Sequence, residues 1–250
     1  MDKDILRILS NLNRQFYDEF ASSFSATRSQ PQAGVRRVAD MLPQDINILD
    51  LGCGNGQFMK YLQSHGFSGR YTGIDASASL LRDAGRLFMP EQAMHARFLH
   101  ADLSQAGWSE VLEGKQFQVV TAFAVLHHIP GAEQRKTLIL EIKKAMKPGG
   151  LFIFSVWQFH NSPKLMRRVL PWQSIGLEDD NLEPGDTLLD WRAESQTGQV
   201  GLRYVHLFNE TELELMRQDC GFSLAQSFYS DGKQGNLALY QVWEKDLVIQ

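Results

Sequence analysis

Three acids that close apolar runs are the residues best placed to do chemistry. Asp50 follows Ile48-Leu49 and precedes Leu51-Gly52-Cys53-Gly54-Asn55-Gly56; Asp75 closes Arg70-Tyr71-Thr72-Gly73-Ile74; Asp102 follows the run His95 to Ala101. Glycine at every second position lets a backbone press against a ligand that any Cβ would hold away. The first run therefore reads as a buried strand, a tight turn and a helix start around a nucleotide-like cofactor. An acid at the end of the next strand accepts two O–H hydrogen bonds at once, as a ribose offers them. At the turn after the third strand, Asp102 suits an adenine amino group, and the following backbone N–H suits the ring. The spacing is G-x-G-x-G, with Gln57 where a dinucleotide fingerprint places its third glycine, so a dehydrogenase ranks last.

The elements that must position these acids follow from apolar spacing. Ile5, Leu9, Leu12, Phe16, Phe20 and Phe24 form one helical stripe, expected to lie across the core as a lid. A second short helix is expected from Gln32 to Met41. Strands are expected at Ile46–Leu51, Arg70–Asp75, His95–His100, Phe117–Ala122 and Leu151–Val156. Helices follow the glycine turn, Ser77 and Ala132. Lys143, Lys144 and Lys147 suit the negative end of the third of these, and Pro148-Gly149-Gly150 stops it. The stretch from Trp157 to Gly198 breaks the alternation and is too long for a plain connection, so it reads as a substrate-side insertion. Beyond it, Asn209 with Glu212, or Thr211 with Glu214, caps a helix. Two antiparallel strands, Phe222–Tyr229 and Leu237–Trp243, close the chain. The division expected is 1–45 lid helices, 46–157 cofactor-binding core, 158–200 insertion and 201–250 the rest of the core.

The totals fit one α/β domain with additions: 250 residues, 43% hydrophobic, with a net charge of −4. Bulk charge does not mark a nucleic-acid binder, although a local basic patch is compatible with it. Cys53 and Cys220 are the two cysteines, and the first sits in the glycine turn. A disulfide is not expected, and neither a leader nor a membrane span is legible, so the expected setting is cytoplasmic.

The pattern around Asp50 resembles the first motif of class I S-adenosylmethionine-dependent methyltransferases. That resemblance implies a Rossmann-like α/β fold: a seven-stranded, mostly parallel sheet with helices on both faces and an antiparallel last strand. It also implies that Asp50 and Gly52, Cys53, Gly54 and Asn55 face the methionine part of the cofactor. Asp75 and Ala76 would take the ribose and Asp102 and Leu103 the adenine, with Ala122 and Phe123 also at the cofactor; Tyr17 on the first helix suits either a cofactor contact or lid packing.

A narrower likeness runs along most of the chain. Tyr17 to Arg28, Ala124 to Pro130, Ser155 to Gln158 and Arg203-Tyr204-Val205-His206-Leu207-Phe208 are similar to the tRNA wobble-uridine carboxymethyl methyltransferases. That family esterifies a carboxymethyl group on C5 of the base, and some members work with a small zinc-binding activator protein. The chemistry needs no nucleophile from the protein, because a carboxylate is ionised at neutral pH and the sulfonium methyl is already electrophilic. It does need fixed donors, and a guanidinium fork serves best. Arg28, Arg203, Tyr204, His127 and His206 are the candidates, with Trp157 to stack on a base. Arg28 equally suits the cofactor's own carboxylate. No Asp/Asn-Pro-Pro-Tyr segment follows the fourth strand, which disfavours base-amine methylation. A small-molecule O- or carboxyl-methyltransferase is the first alternative, and a silent cofactor-binding module the second. No metal site is expected.

Overall fold

The computed structural model describes residues 1–26, 30–89, 93–192 and 200–247, with the backbone alone for 21–26. Helices α1 (Lys3–Ala26) and α2 (Ala33–Met41) open the chain. Then β1 (Asn47–Leu51), α3 (Gln57–Ser64), β2 (Arg70–Asp75), α4 (Ala78–Leu87) and β3 (His95–His100) alternate, followed by β4 (Phe117–Phe123), α5 (Ala132–Ala145) and β5 (Met146–Trp157). After α6 (Pro163–Met166) come β6 (Val169–Leu170), β7 (Asp186–Arg192) and β8 (Val200–His206). The chain closes with α7 (Glu210–Asp219), β9 (Phe222–Ser230) and β10 (Ala238–Lys245).

Seven strands make the main sheet in the order β3-β2-β1-β4-β5-β10-β9, and β10 runs antiparallel to both its neighbours. The expected sheet is therefore present, with one antiparallel strand, contributed by the last. Strand order reverses between β1 and β4, and that switch opens a crevice beyond their carboxyl ends. Alternate residues feed opposite faces. Leu49 and Leu51 pack with the α5–α7 side, while Ile48 packs with the α2–α3 side. Each such fully buried side chain contributes roughly 1.5–3 kcal/mol. Ser77 caps α4 through its Oγ and the Leu80 N–H at 3.3 Å, and Asn209 caps α7 through the Glu212 N–H at 2.9 Å. At the far end of α5, Lys143 and Lys144 stand in the last turn as expected, and a further lysine bonds the carbonyls. Lys245 Nζ donates to the oxygens of Lys143 and Met146 at 2.8 and 2.7 Å.

Two expectations need correction. Residues 201–206 do not belong to the main sheet: β8 pairs antiparallel with β7, and β7 with β6, in a separate three-stranded sheet. The insertion thus extends to His206, because β8 finds its backbone partner in β7 and has none in the main sheet. Helix α1 packs mainly on this second sheet and reaches the core at α4 and at the turn after β4. Leu9 is buried with Trp172, Leu177, Leu188 and Tyr204. Asn13 joins the two parts: its Oδ1 accepts the Tyr204 N–H at 2.8 Å and its Nδ2 donates to the His128 carbonyl at 3.0 Å.

Candidate active site

The carboxyl ends of β1, β2 and β4, the turn after β3 and the inner faces of α1 and β8 surround one cleft of about 430 Å³. Tyr17, Asp50, Gly52, Cys53, Gly54, Asn55, Asp75, Ala76, Asp102, Leu103 and Phe123 all line it, so those cofactor-binding expectations converge on one place. Ala122 does not. It is fully buried in the core beside Val120 and Phe154, because alternation along β4 sends Phe123 to the cleft and its neighbour away. Arg28 lies outside the described residues.

The three glycines of the turn have different reasons. All have positive φ, which favours glycine. A Cβ on Gly52 would stand 2.5 Å from Val125 Cγ2, and one on Gly56 would stand 2.9 Å from Ala84 Cβ. A Cβ on Gly54 would meet nothing within 4 Å, so it would project into open space at the cleft wall. At Gly54 the space is left open toward the cleft, whereas a Cβ at either of the other two would collide with packed side chains. Gly56→Ala should cost a few kcal/mol of stability, from strain and overpacking together. Gly54→Ala should cost about 1–2 kcal/mol while weakening cofactor binding, as thermal unfolding and calorimetry on both variants will read.

Each acid is held by its own neighbours. Asp75 Oδ2 accepts the Gly54 N–H and Oδ1 the Ser77 N–H, both at 2.8 Å, which fixes the carboxylate plane. Burial pushes its pKa up, against those two backbone donors. Asp102 takes the N–H and Oγ–H of Ser104 on Oδ1, at 2.9 and 2.7 Å, leaving Oδ2 to accept an amino group. Asp50 is deeper. It accepts from Thr121 Oγ1 at 2.6 Å and from the Tyr71 hydroxyl. Burial lifts its pKa to about 6, although both hydroxyls oppose the shift. A raised carboxyl pKa favours the fold more as pH falls through that value, the reverse of a salt-bridged acid. A cationic ligand prefers the ionised form, so cofactor affinity should fall as pH drops below about 6, by up to about tenfold per pH unit. Calorimetry in buffers of different ionisation heat should show proton release on binding near pH 6.

The opposite wall carries donors. Arg203 is buried, with its guanidinium carbon 4.7 Å from the Trp157 ring and 5.3 Å from that of Phe16. His127 Nδ1 accepts the Trp157 N–H at 3.2 Å, so in the neutral ring the proton sits on Nε2 and that nitrogen is the donor. His128 has the other tautomer. Its Nδ1 donates to the Tyr204 carbonyl at 3.2 Å, and its Nε2 accepts the Tyr17 hydroxyl at 2.8 Å. Tyr17 thus lines the cleft and also ties α1 to the turn after β4.

Tyr204 and His206 are not substrate-side donors. Neither lines the cleft, because Arg203 lies on one face of β8 and these two on the other. Tyr204 gives its hydroxyl to Asp186 Oδ1 at 2.7 Å, and His206 stands between Asp186 and Glu212. Ligand atoms of Glu183, Asp186 and His206 lie within 4.8 Å of one another, close enough to share a cation. Arg135 and Tyr204 already donate to the two carboxylates, so the chain's own groups compensate the cluster.

Sequence reasoning missed Asn13, Ser155 and Asp231, which also line the cleft. Asp231, between β9 and β10, accepts the Gly34 N–H at 2.8 Å and the Tyr240 hydroxyl at 2.7 Å, fixing α2 beside the cleft. Ser155 Oγ accepts the N–H of Ala124, which holds a left-handed φ of 57°.

The family model of the methyltransferase domain matches residues 24–227. The chain belongs to this family. It is an S-adenosylmethionine-dependent methyltransferase, and the cleft fits that cofactor: three acids for a cationic nucleoside, and an open wall at Gly54. The methyltransferase is 25% identical to the tRNA (carboxymethyluridine(34)-5-O)-methyltransferase of Schizosaccharomyces pombe, over 86% of this chain and 90% of that protein. It is 29% identical to a ubiquinone biosynthesis O-methyltransferase of Coxiella burnetii, over 44% of this chain and 42% of that one. The N-methyltransferase NodS of Bradyrhizobium japonicum, solved with S-adenosylhomocysteine, has the same fold at a TM-score of 0.61 and 16% identity, covering 94% of this chain and 98% of NodS. A methyltransferase solved in complex with the Haloferax volcanii Trm112 activator superposes at 0.65 with 14% identity, covering 95% of this chain and 99% of that one.

Proposed function

We propose that this methyltransferase esterifies a carboxylate, the carboxymethyl group on C5 of a wobble uridine in tRNA. The observation that carries this reading is the seat of Arg203, its guanidinium carbon over the rings of Trp157 and Phe16 on the wall facing the acids. A guanidinium held close to two aromatic rings is ordered at low entropic cost, and its planar fork suits a planar carboxylate. His127 Nε2–H lies in the same wall. Bound S-adenosylmethionine would supply an electrophilic methyl to the acceptor oxygen, its C–S bond breaking as the O–CH3 bond forms, with S-adenosylhomocysteine as the second product. The carboxylate arrives ionised, so the protein's task is to desolvate and aim it. Trp157 supplies the aromatic face for an unstacked base. The relative in Schizosaccharomyces pombe supports the same acceptor.

The partner is proposed with the acceptor. Edge strand β3 is half-buried along His95–His100 and offers one free side for strand addition by a small activator protein.

Labelled methyl donor incubated with total tRNA and with a metabolite extract tests the reading. It expects label in tRNA that mild base releases as methanol. Base-stable label in tRNA, or label in the metabolite pool alone, would contradict it.

A further inference from the structure

We propose that His206 is a positioning residue: held as an imidazolium between two carboxylates, it locks the second sheet to the core and so sets where Arg203 stands. This rests on the reading of Arg203 as the donor to the acceptor carboxylate.

The geometry of the ring decides its protonation. His206 Nδ1 lies 2.7 Å from Asp186 Oδ1, and Nε2 lies 2.9 and 3.0 Å from the two oxygens of Glu212. A neutral imidazole has one N–H, so one ring lone pair would face a carboxylate lone pair at contact distance. Both contacts are satisfied only when both nitrogens carry hydrogen. The ring and the Asp186 side chain are 1% and 0% exposed, which removes water as a substitute partner.

The surrounding charges come from every element packed on the ring. Asp186 stands on β7, Glu212 on α7 and the Tyr204 hydroxyl on β8. Arg135 on α5 is 1% exposed and bridges Glu183 at 2.8 Å and Glu212 at 3.3 Å. Glu183 in turn accepts the Ala132 N–H at the start of α5. With His206 charged, two cations face three carboxylates; without its proton, one cation faces three. The cluster is the joint between the second sheet and helices α5 and α7. Arg203 is three residues before His206 on the same strand. Loosening the joint therefore moves the donor wall without touching the acids that hold the cofactor.

Burial pulls His206 toward neutrality, but the hydrogen bonds to Asp186 and Glu212 outweigh it, and its pKa is raised above the ordinary value. A histidine raised on folding contributes stability that is fully present below its unfolded pKa, about 6.5. That contribution is lost as pH rises through the folded value.

Nitrogen-15 NMR of the ring, with His206 assigned by loss of its signals in His206→Gln, is the direct test. The expected result is two protonated ring nitrogens with a midpoint above about 6.5. A neutral ring at that pH overturns the proposal. Next, kcat/KM for the acceptor is followed from pH 6.5 upward, on the intact protein. In the wild type it should fall through the His206 midpoint. His206→Gln should be slow throughout and lack that limb, with wild-type cofactor affinity at each pH. Glu212→Gln, at a partly exposed position, removes one carboxylate partner and should shift the limb to lower pH even if the first variant folds poorly. An unchanged limb in either folded variant overturns the proposal. If tRNA proves not to be the acceptor, the NMR midpoint and the decline of thermal stability over the same pH range still decide it.

Discussion

Asp75→Ala is expected to abolish measurable cofactor binding while the protein remains folded. Both carboxylate oxygens already accept a backbone N–H, from Gly54 and Ser77, so the group is oriented before any ligand arrives. Each oxygen retains a second lone pair, and two ribose hydroxyls match them. Hydrogen bonds to a charged acceptor contribute about 1.5–3 kcal/mol each, so losing both weakens binding by roughly a hundredfold or more. The variant also frees the Gly54 turn, which raises the loss further. Asp75→Asn keeps the shape and one acceptor oxygen and should retain part of the affinity. Isothermal titration with S-adenosylhomocysteine reads both variants. Wild-type affinity in Asp75→Ala would remove this acid from the cofactor site.

Arg203→Ala should do the converse: near-complete loss of methyl transfer with cofactor affinity kept within about twofold. The guanidinium is buried between Trp157 and Phe16, so an acceptor carboxylate docking there is largely desolvated. Truncating one partner of such a pair costs about 2–5 kcal/mol, or roughly 30- to several-thousand-fold in kcat/KM. Arg203→Lys should recover little, because an ammonium cannot reproduce the planar fork or the ring stacking. Equal losses in turnover and cofactor affinity would show that Arg203 only holds the fold of the second sheet.

The acid-lined half of the cleft was readable from sequence because its signals are local. Apolar runs close on Asp50 and Asp75, Asp102 lies just past a third, and glycine turns mark where the backbone must bend. The acceptor half was readable only by type. In Arg203-Tyr204-Val205-His206 all four residues are buried, so the period-two contrast that tells one strand face from the other is missing. Three polar or aromatic candidates were therefore grouped, where alternation separates Arg203 from Tyr204 and His206. The stripe on α1 gave the helix but not its partner, since apolar surface is non-directional. Asn13 interrupts that stripe and is buried, with both amide atoms bonded to backbone of separate segments. A polar side chain in an apolar stripe was the one local sign of that joint. The same limit applies to Gly52 and Gly56, whose need for glycine depends on Val125 and Ala84, residues distant in sequence.

A crystal structure with S-adenosylhomocysteine bound tests the central claim most directly. Both ribose hydroxyls are predicted on Asp75, the adenine amino group beside Asp102, and the sulfur directed at the space between His127, Trp157 and Arg203. A ligand lying elsewhere, or a sulfur turned away from Arg203, would contradict the account.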